Sequence, residues 1–213
     1  MTNKTMTPEP IVYIVDDDEE LCTSLAWLLD SVDIASRSYN DVASFLDGYD
    51  RERASCLVLD VRMPRTGGFA LQETLNQIGA PIPIIFVSAH GDVRMSVRAL
   101  QQGAVNFFEK PYDPQQMLDA VQETLELAEV RFAESAERTQ VLERLRTLTP
   151  REREILLLVI DGLPSQNIAR QLGTSVKTID VHRARIKSKT NAESISTLVR
   201  DVLSQRIDLA VDL

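Results

Sequence analysis

The chain has 213 residues, 44% of them hydrophobic and 26% charged, which suits a soluble globular protein of one or two domains. No apolar run approaches the ~20 residues needed to cross a bilayer, and Met1 to Pro10 is too polar for a secretory signal, so that stretch is expected to be disordered. The net charge of −9 is uneven: residues 1–140 carry 11 Lys/Arg against 23 Asp/Glu, a net of −12, whereas 144–189 carries 10 against 4, a net of +6. An acidic part joined to a locally basic one predicts two domains with different partners, the basic one facing nucleic acid.

Taken in order, Ile11 to Val15 is an uninterrupted apolar strand that runs into Asp16-Asp17-Asp18-Glu19-Glu20. A helix follows, with Leu21, Leu25, Leu28 and Leu29 on one face. Ile34 to Tyr39 predicts a weaker strand, and Asp41 the cap of a helix carrying Val42, Phe45 and Leu46. Leu57 to Asp60 is a third strand, apolar until the acid that closes it. Gly67 and Gly68 open the next helix, in which Leu71, Leu75 and Ile78 are spaced four and three apart. Ile82 to Val87 is a fourth strand, ending in Ser88. Val93, Val97 and Leu100 mark a helix that Gly103 terminates. Val105 to Phe108 is a fifth strand, followed by Glu109-Lys110-Pro111, and Asp113-Pro114 supplies a cap and a first-turn proline for a last helix. Cys22 and Cys56 fall in apolar surroundings without a partner motif and read as reduced core thiols in a cytoplasm. Five strands alternating with five helices require a parallel sheet covered on both faces.

In such a sheet Asp16, Asp17, Asp60, Ser88 and Lys110 all fall on the carboxyl edge, where α/β folds collect ligands. Clustered carboxylates repel one another unless a hard cation sits among them, and Mg²⁺ needs only two or three because it keeps several waters. A lysine beside them neutralises phosphate oxygens, a serine hydroxyl bonds another oxygen, and a carboxylate free to attack phosphorus forms an acyl phosphate. These residues resemble the receiver domain of bacterial two-component response regulators, a flavodoxin-like α/β fold with strand order 2-1-3-4-5. The resemblance implies that Asp60, in Leu59-Asp60-Val61-Arg62-Met63-Pro64, is the phosphoacceptor. It makes Asp16 and Asp17 the acidic pair for Mg²⁺, Asp17 the more direct ligand, with Asp60 and the Arg62 backbone carbonyl completing the protein ligands. Ser88 becomes the switch hydroxyl, Phe107 the switch aromatic, and Lys110-Pro111 the lysine with its usually cis peptide bond. Ala89-His90-Gly91-Asp92-Val93 is similar to the FixJ-like subgroup. Two departures are visible: Val32-Asp33 stands where a glycine is usual, and Arg65-Thr66 separates Pro64 from Gly67.

No Gly or Pro interrupts 115–149, so a long charged helix is expected to join the two parts. Val121, Leu125, Ala128, Phe132, Leu142 and Leu145 lie near one stripe of it. Beyond it, Thr149 and Pro150 start a helix with Ile155, Leu158 and Val159 toward a core, and Gly162 ends it. Ser165 is expected to cap a second helix, Gln166 to Leu172. Gly173-Thr174-Ser175 is a tight turn, a third helix runs from Val176 to about Thr190, and a fourth starts at Ala192. Two helices around a short glycine turn, the second one basic, make a helix-turn-helix. Leu148-Thr149-Pro150-Arg151-Glu152-Arg153-Glu154, Gly162, Ile168-Ala169-Arg170 and Lys177-Thr178-Ile179-Asp180-Val181-His182-Arg183 resemble the LuxR/NarL-type helix-turn-helix. That resemblance points Asp180, Val181 and Ala184 at base edges with Arg183 beside them, and Lys177, Thr178, Arg185 and Lys189 at phosphates. An acid at 180, where many relatives carry a base, would accept from a cytosine amino group.

The expected organisation is therefore a disordered 1–10, a receiver over 11–126, a helical linker over 127–146 and an all-α, four-helix DNA-binding domain over 147–208. The expected protein is a cytoplasmic, non-enzymatic response regulator of the NarL/FixJ kind. A sensor histidine kinase phosphorylates Asp60 with Mg²⁺, the phosphorylated receivers form a homodimer, and promoter DNA and RNA polymerase are the downstream partners. The rival is a haloacid-dehalogenase-type phosphatase, whose opening motif Asp16-x-Asp18 matches. That motif needs Thr or Val two residues after the second Asp, where Glu20 stands.

Overall fold

The computed structural model describes residues 8–89, 93–209 and 211. Met1 to Thr7 and His90-Gly91-Asp92, on which the expected disorder and part of the subgroup resemblance rest, lie outside the described residues. The chain divides into two compact units, Met1–Ala133 and Glu134–Leu213. The first contains β1 (Ile11–Val15), α1 (Glu19–Asp30), β2 (Ser36–Tyr39), α2 (Val42–Gly48), β3 (Ser55–Asp60), α3 (Gly68–Gln77), β4 (Ile84–Ser88), α4 (Val93–Gln101), β5 (Asn106–Glu109) and the start of α5 (Pro114–Arg146). Its sheet runs β2-β1-β3-β4-β5 with every neighbouring pair parallel.

The apolar strands are buried on both faces because their side chains alternate between two cores. Tyr13, Val15, Leu57, Leu59, Ile84 and Phe86 pack toward Val42, Phe45, Leu71, Leu75 and Ala99. Val12, Ile14, Cys56, Val58, Ile85 and Val87 pack toward Leu25, Leu29, Met117 and Val121 of α1 and α5. Cys22 and Cys56 are free and buried. Burial, the largest cause, pushes their thiols up to about 11 and about 12, so both stay protonated.

Several local readings change: β4 begins at Ile84 rather than Ile82, β5 covers Asn106–Glu109 rather than Val105 to Phe108, and the last helix of the chain begins at Ile195 rather than Ala192. The second strand begins at Ser36 rather than Ile34, because the Ile34 N–H donates to the Leu29 carbonyl and closes α1. Asp33 makes that turn at φ 59, doing the work of the usual glycine. The α4 stripe marks a helix, but not a core face: Val93, Val97 and Leu100 are 79%, 44% and 48% exposed, and only Ala99 of that helix is buried. Ser165 does not cap the second helix of the basic part. Pro164 holds the cap position and the helix starts at Ser165 itself.

The second unit holds the end of α5, α6 (Pro150–Ile160), α7 (Ser165–Gln171), α8 (Val176–Lys189) and α9 (Ile195–Ser204). Val141, Leu145, Ile155, Leu156, Ile168, Ile179, Ile186, Leu198 and Val202 form its core. Thr149 starts α6 with a capping box closed by Glu152. Gly173, at φ 63, turns the chain from α7 to α8. α5 is continuous through 127–146, as the absence of breakers requires.

Candidate functional site

Strand register brings the chemistry together. Val15 pairs with Leu59, so Asp16 and Asp60 leave neighbouring strands at one level. Asp60 pairs with Val87 and Ser88 with Glu109, which puts Ser88 and Lys110 just past the same edge. Asp16 is 2% and Asp60 5% exposed, and the Lys110 ammonium donates to both, at 2.6 Å from Asp16 Oδ2 and 2.8 Å from Asp60 Oδ1. The remaining Asp60 oxygen accepts the Arg62 backbone N–H at 2.6 Å, and Asp16 Oδ1 accepts the Asp18 N–H at 3.0 Å. Burial raises the Asp60 carboxyl above its ordinary value, Lys110 offsets this in part, and Asp16 adds to the rise. Burial pulls the other way on Lys110, but its bonds to Asp16 and Asp60 win and hold it above its usual value.

Ser88 is buried, with its Oγ 4.0 Å from Met95 Sδ on α4, and the Lys110 N–H donates to the Ser88 carbonyl. Phe107 pairs with Phe86 across β4 and β5 and is half-buried against the first core. The Lys110–Pro111 peptide bond is cis. Gly68 closes the floor: a Cβ there would lie 2.4 Å from the Asp60 carbonyl oxygen and 2.9 Å from the Phe86 ring. Arg65 takes φ 70 in the loop that departs from the usual glycine. Asp17 is exposed at the rim, whereas Asp18 caps α1 by accepting from the Glu20 and Leu21 N–H groups. The second acid of the phosphatase motif is thus spent on a helix terminus.

The donor set suits Mg²⁺. Two buried carboxylates share one lysine, which leaves a net negative charge made only of hard oxygen donors. Among the described residues no three metal-ligating side chains gather at one point, so an ion there would draw on Asp16, Asp60, the exposed Asp17 and backbone oxygen, and keep its waters.

In the second unit, Ile179 and Ile186 bury one side of α8, and Lys177, Thr178, Asp180, Val181, Ala184, Arg185 and Lys189 lie on its exposed side with Arg183 half-buried. Ser175 caps the helix by accepting from the Thr178 N–H. Three of these residues, Lys189, Asp180 and Arg183, are held by partners outside α8. The Lys189 ammonium lies 2.7 Å from Glu152 Oε2, and Glu152 is 3% exposed. The Ser165 hydroxyl donates to Asp180 Oδ1 at 3.1 Å and accepts from Arg183 Nη1 at 3.2 Å.

Residues 12–122 match the family model of the response regulator receiver domain, and residues 146–202 that of the luxR family of bacterial regulatory proteins. The chain belongs to the response regulators. It is 41% identical over 192 residues to the transcriptional regulatory protein TdiR of Thauera aromatica, covering 90% of this chain and 85% of TdiR. It is 37% identical over 197 residues to the transcriptional regulatory protein FixJ of Azorhizobium caulinodans, covering 92% and 93%. Among solved structures, the response regulator StyR matches at TM-score 0.70 and 39% identity, covering 92% of this chain and 99% of StyR. Full-length FixJ from B. japonicum matches at 0.53 and 34%, covering 95% and 100%. This response regulator is of the NarL/FixJ kind, FixJ-like, and acts in a two-component system that controls transcription. No helix among its described residues is long and apolar enough to cross a membrane.

Three contacts in this response regulator are not marked by its sequence. Gly68 reads as a helix opener, but its close approach to Asp60 depends on how α3 meets β3. Ser165 looked like a cap, a role that any serine before a helix suggests. Glu152 stands in the opening turn of α6, and nothing in the sequence ties it to Lys189, 37 residues away.

Proposed function

We propose that Asp60 accepts a phosphoryl group from a sensor histidine kinase, and that phosphorylation pairs two chains on promoter DNA. The observation that carries this is the Lys110 ammonium bonded to both Asp16 and Asp60 at the aligned strand ends. A buried carboxylate with a raised proton affinity is a stronger nucleophile than an exposed one, and Lys110 is placed to offset the charge that a phosphoryl group brings. Mg²⁺, held by Asp16, Asp17, Asp60 and the Arg62 carbonyl, would neutralise phosphoryl oxygens. Asp60 supplies the attacking oxygen, and Ser88 and Lys110 hydrogen-bond the transferred group. Drawing Ser88 toward the phosphate alters its contact with Met95, so α4 shifts and Phe107 follows.

The exposed apolar stripe Val93, Val97 and Leu100 supports α4 as the surface on which two receivers pair, since such a stripe gains by being covered. The receiver, 11–126, then acts through the helical linker, 127–146, on the DNA-binding domain, 147–208. There α8 enters the major groove: Asp180, Val181 and Ala184 face bases with Arg183 beside them, and Lys177, Thr178, Arg185 and Lys189 face phosphates. Two domains at high effective concentration bind a two-fold symmetric site and engage RNA polymerase, in the cytoplasm and without an enzymatic activity of their own. The direct test is labelling by acetyl phosphate in Mg²⁺. Wild-type protein is expected to take up one phosphoryl group and Asp60→Asn none; labelling of the variant at the wild-type level would remove Asp60 from the reading.

A further inference from the structure

Asp180 is the only acid on the DNA-facing helix, among Lys177, Arg183, Arg185, Lys187 and Lys189. A carboxylate there repels phosphates, so its presence calls for a return. Its Oδ1 is occupied by the Ser165 hydroxyl, and that hydroxyl accepts in turn from Arg183 Nη1. A hydroxyl has one proton to give and lone pairs to receive with. Donating to a carboxylate makes Ser165 Oγ a better acceptor for the guanidinium. Ser165 is free for this because Pro164 holds the cap position of α7 and no side chain caps that helix. Arg183 is half-buried, so fixing one N–H leaves its remaining donors aimed in a restricted direction.

From this geometry we infer that Asp180 and Ser165 are positioning residues for DNA recognition: they hold Arg183, on the following turn of α8, as the side chain that reads a base. The inference rests on the reading of α8 as the groove-entering helix. It replaces direct capture of a cytosine amino group by Asp180 with bidentate recognition by Arg183, whose fork matches the O6 and N7 acceptors of guanine. It also links α7 to α8 through polar contacts in addition to the shared core.

The test is selection from a library of random-sequence duplex DNA by full-length protein with acetyl phosphate and Mg²⁺, scored as base preference at each position. Arg183→Ala is expected to lower discrimination at one position per half-site by about tenfold. Ser165→Ala and Asp180→Ala should each weaken discrimination at that same position, and the double variant should be no worse than either single one. Ser165→Thr, which keeps the hydroxyl, should restore the preference. Asp180→Asn, which keeps an acceptor for Ser165 and removes the charge, should leave the preferred base unchanged and tighten binding to all sequences. If Ser165→Ala leaves the preference intact while Asp180→Asn switches the preferred base, Asp180 reads DNA directly and the inference is overturned. A loss in Ser165→Ala that is uniform across sequences overturns it as well. If Arg183→Ala and Arg185→Ala both bind the library like wild type, the placement of α8 in the groove fails instead.

Discussion

Asp60 is held at a cost to the fold. Its folded-state proton affinity is raised, by burial first and by Asp16 second. The contribution of a group of that sign is complete below its unfolded pKa and is lost as pH rises through the raised folded value. Asp60→Asn is therefore expected to raise the melting temperature of the first unit at pH 7 while abolishing phosphorylation. Thermal unfolding at pH 7 and at pH 3.5 checks this: the variant's advantage should shrink at the lower pH, and a variant less stable than wild type at pH 7 would contradict the assignment of burial as the dominant cause. Gly68 tests the floor of the same pocket. Its Cβ would meet the Asp60 carbonyl oxygen at 2.4 Å, so Gly68→Ala should cost about 1–3 kcal/mol by overpacking and slow labelling by acetyl phosphate. Denaturant titration and a labelling time course measure the two effects. The acid, serine and lysine of this pocket were legible in the sequence because each ends or closely follows a short strand. Gly68's role was not, because it arises from the distance between two elements rather than from either.

Among the elements, α6 and α8 are joined by Glu152. Burial alone would raise its carboxyl, but bonds from Lys189 and from the Thr149 backbone and hydroxyl outweigh it and hold the pKa at about 2. A depressed value means that its stabilisation is complete above the ordinary glutamate value of about 4.5 and is lost as pH falls toward 2. Glu152→Gln should therefore cost about 2–3 kcal/mol at pH 6 and almost nothing near pH 2. Unfolding of the full chain followed by circular dichroism at both pH values checks it. The same pair separates the cations of α8. Arg185→Ala should weaken all DNA sequences alike and lower the salt slope by about one. Lys189→Ala should in addition lower stability, because it leaves a buried carboxylate without its cation. The helices of this unit were legible from Thr149, Pro150, Gly162 and Gly173, which are local signals. Strand β2 was over-read by two residues because the hydrogen bond that takes Ile34 belongs to α1. The α4 stripe was read correctly as a helix, yet periodicity alone does not tell a core face from a face waiting for a partner.

For the whole molecule, charge asymmetry already separated an acidic unit from a basic one, and the two compact units follow that division. What neither composition nor spacing encodes is how the state of Asp60 reaches the DNA. Phosphorylation is expected to leave the contacts of α8 unchanged and to act by pairing receivers, so that the second DNA-binding domain binds at high effective concentration. Val97→Glu, on the exposed stripe of α4, should then keep acetyl phosphate labelling but lose phosphate-dependent dimerisation in sedimentation analysis. The most direct measurement is a set of DNA-binding isotherms for full-length wild type and Asp60→Asn, each with and without acetyl phosphate and Mg²⁺. The expected result is a marked gain in affinity on phosphorylation of the wild type and none in Asp60→Asn. Equal affinity of phosphorylated and unphosphorylated wild type would contradict control of DNA binding by Asp60.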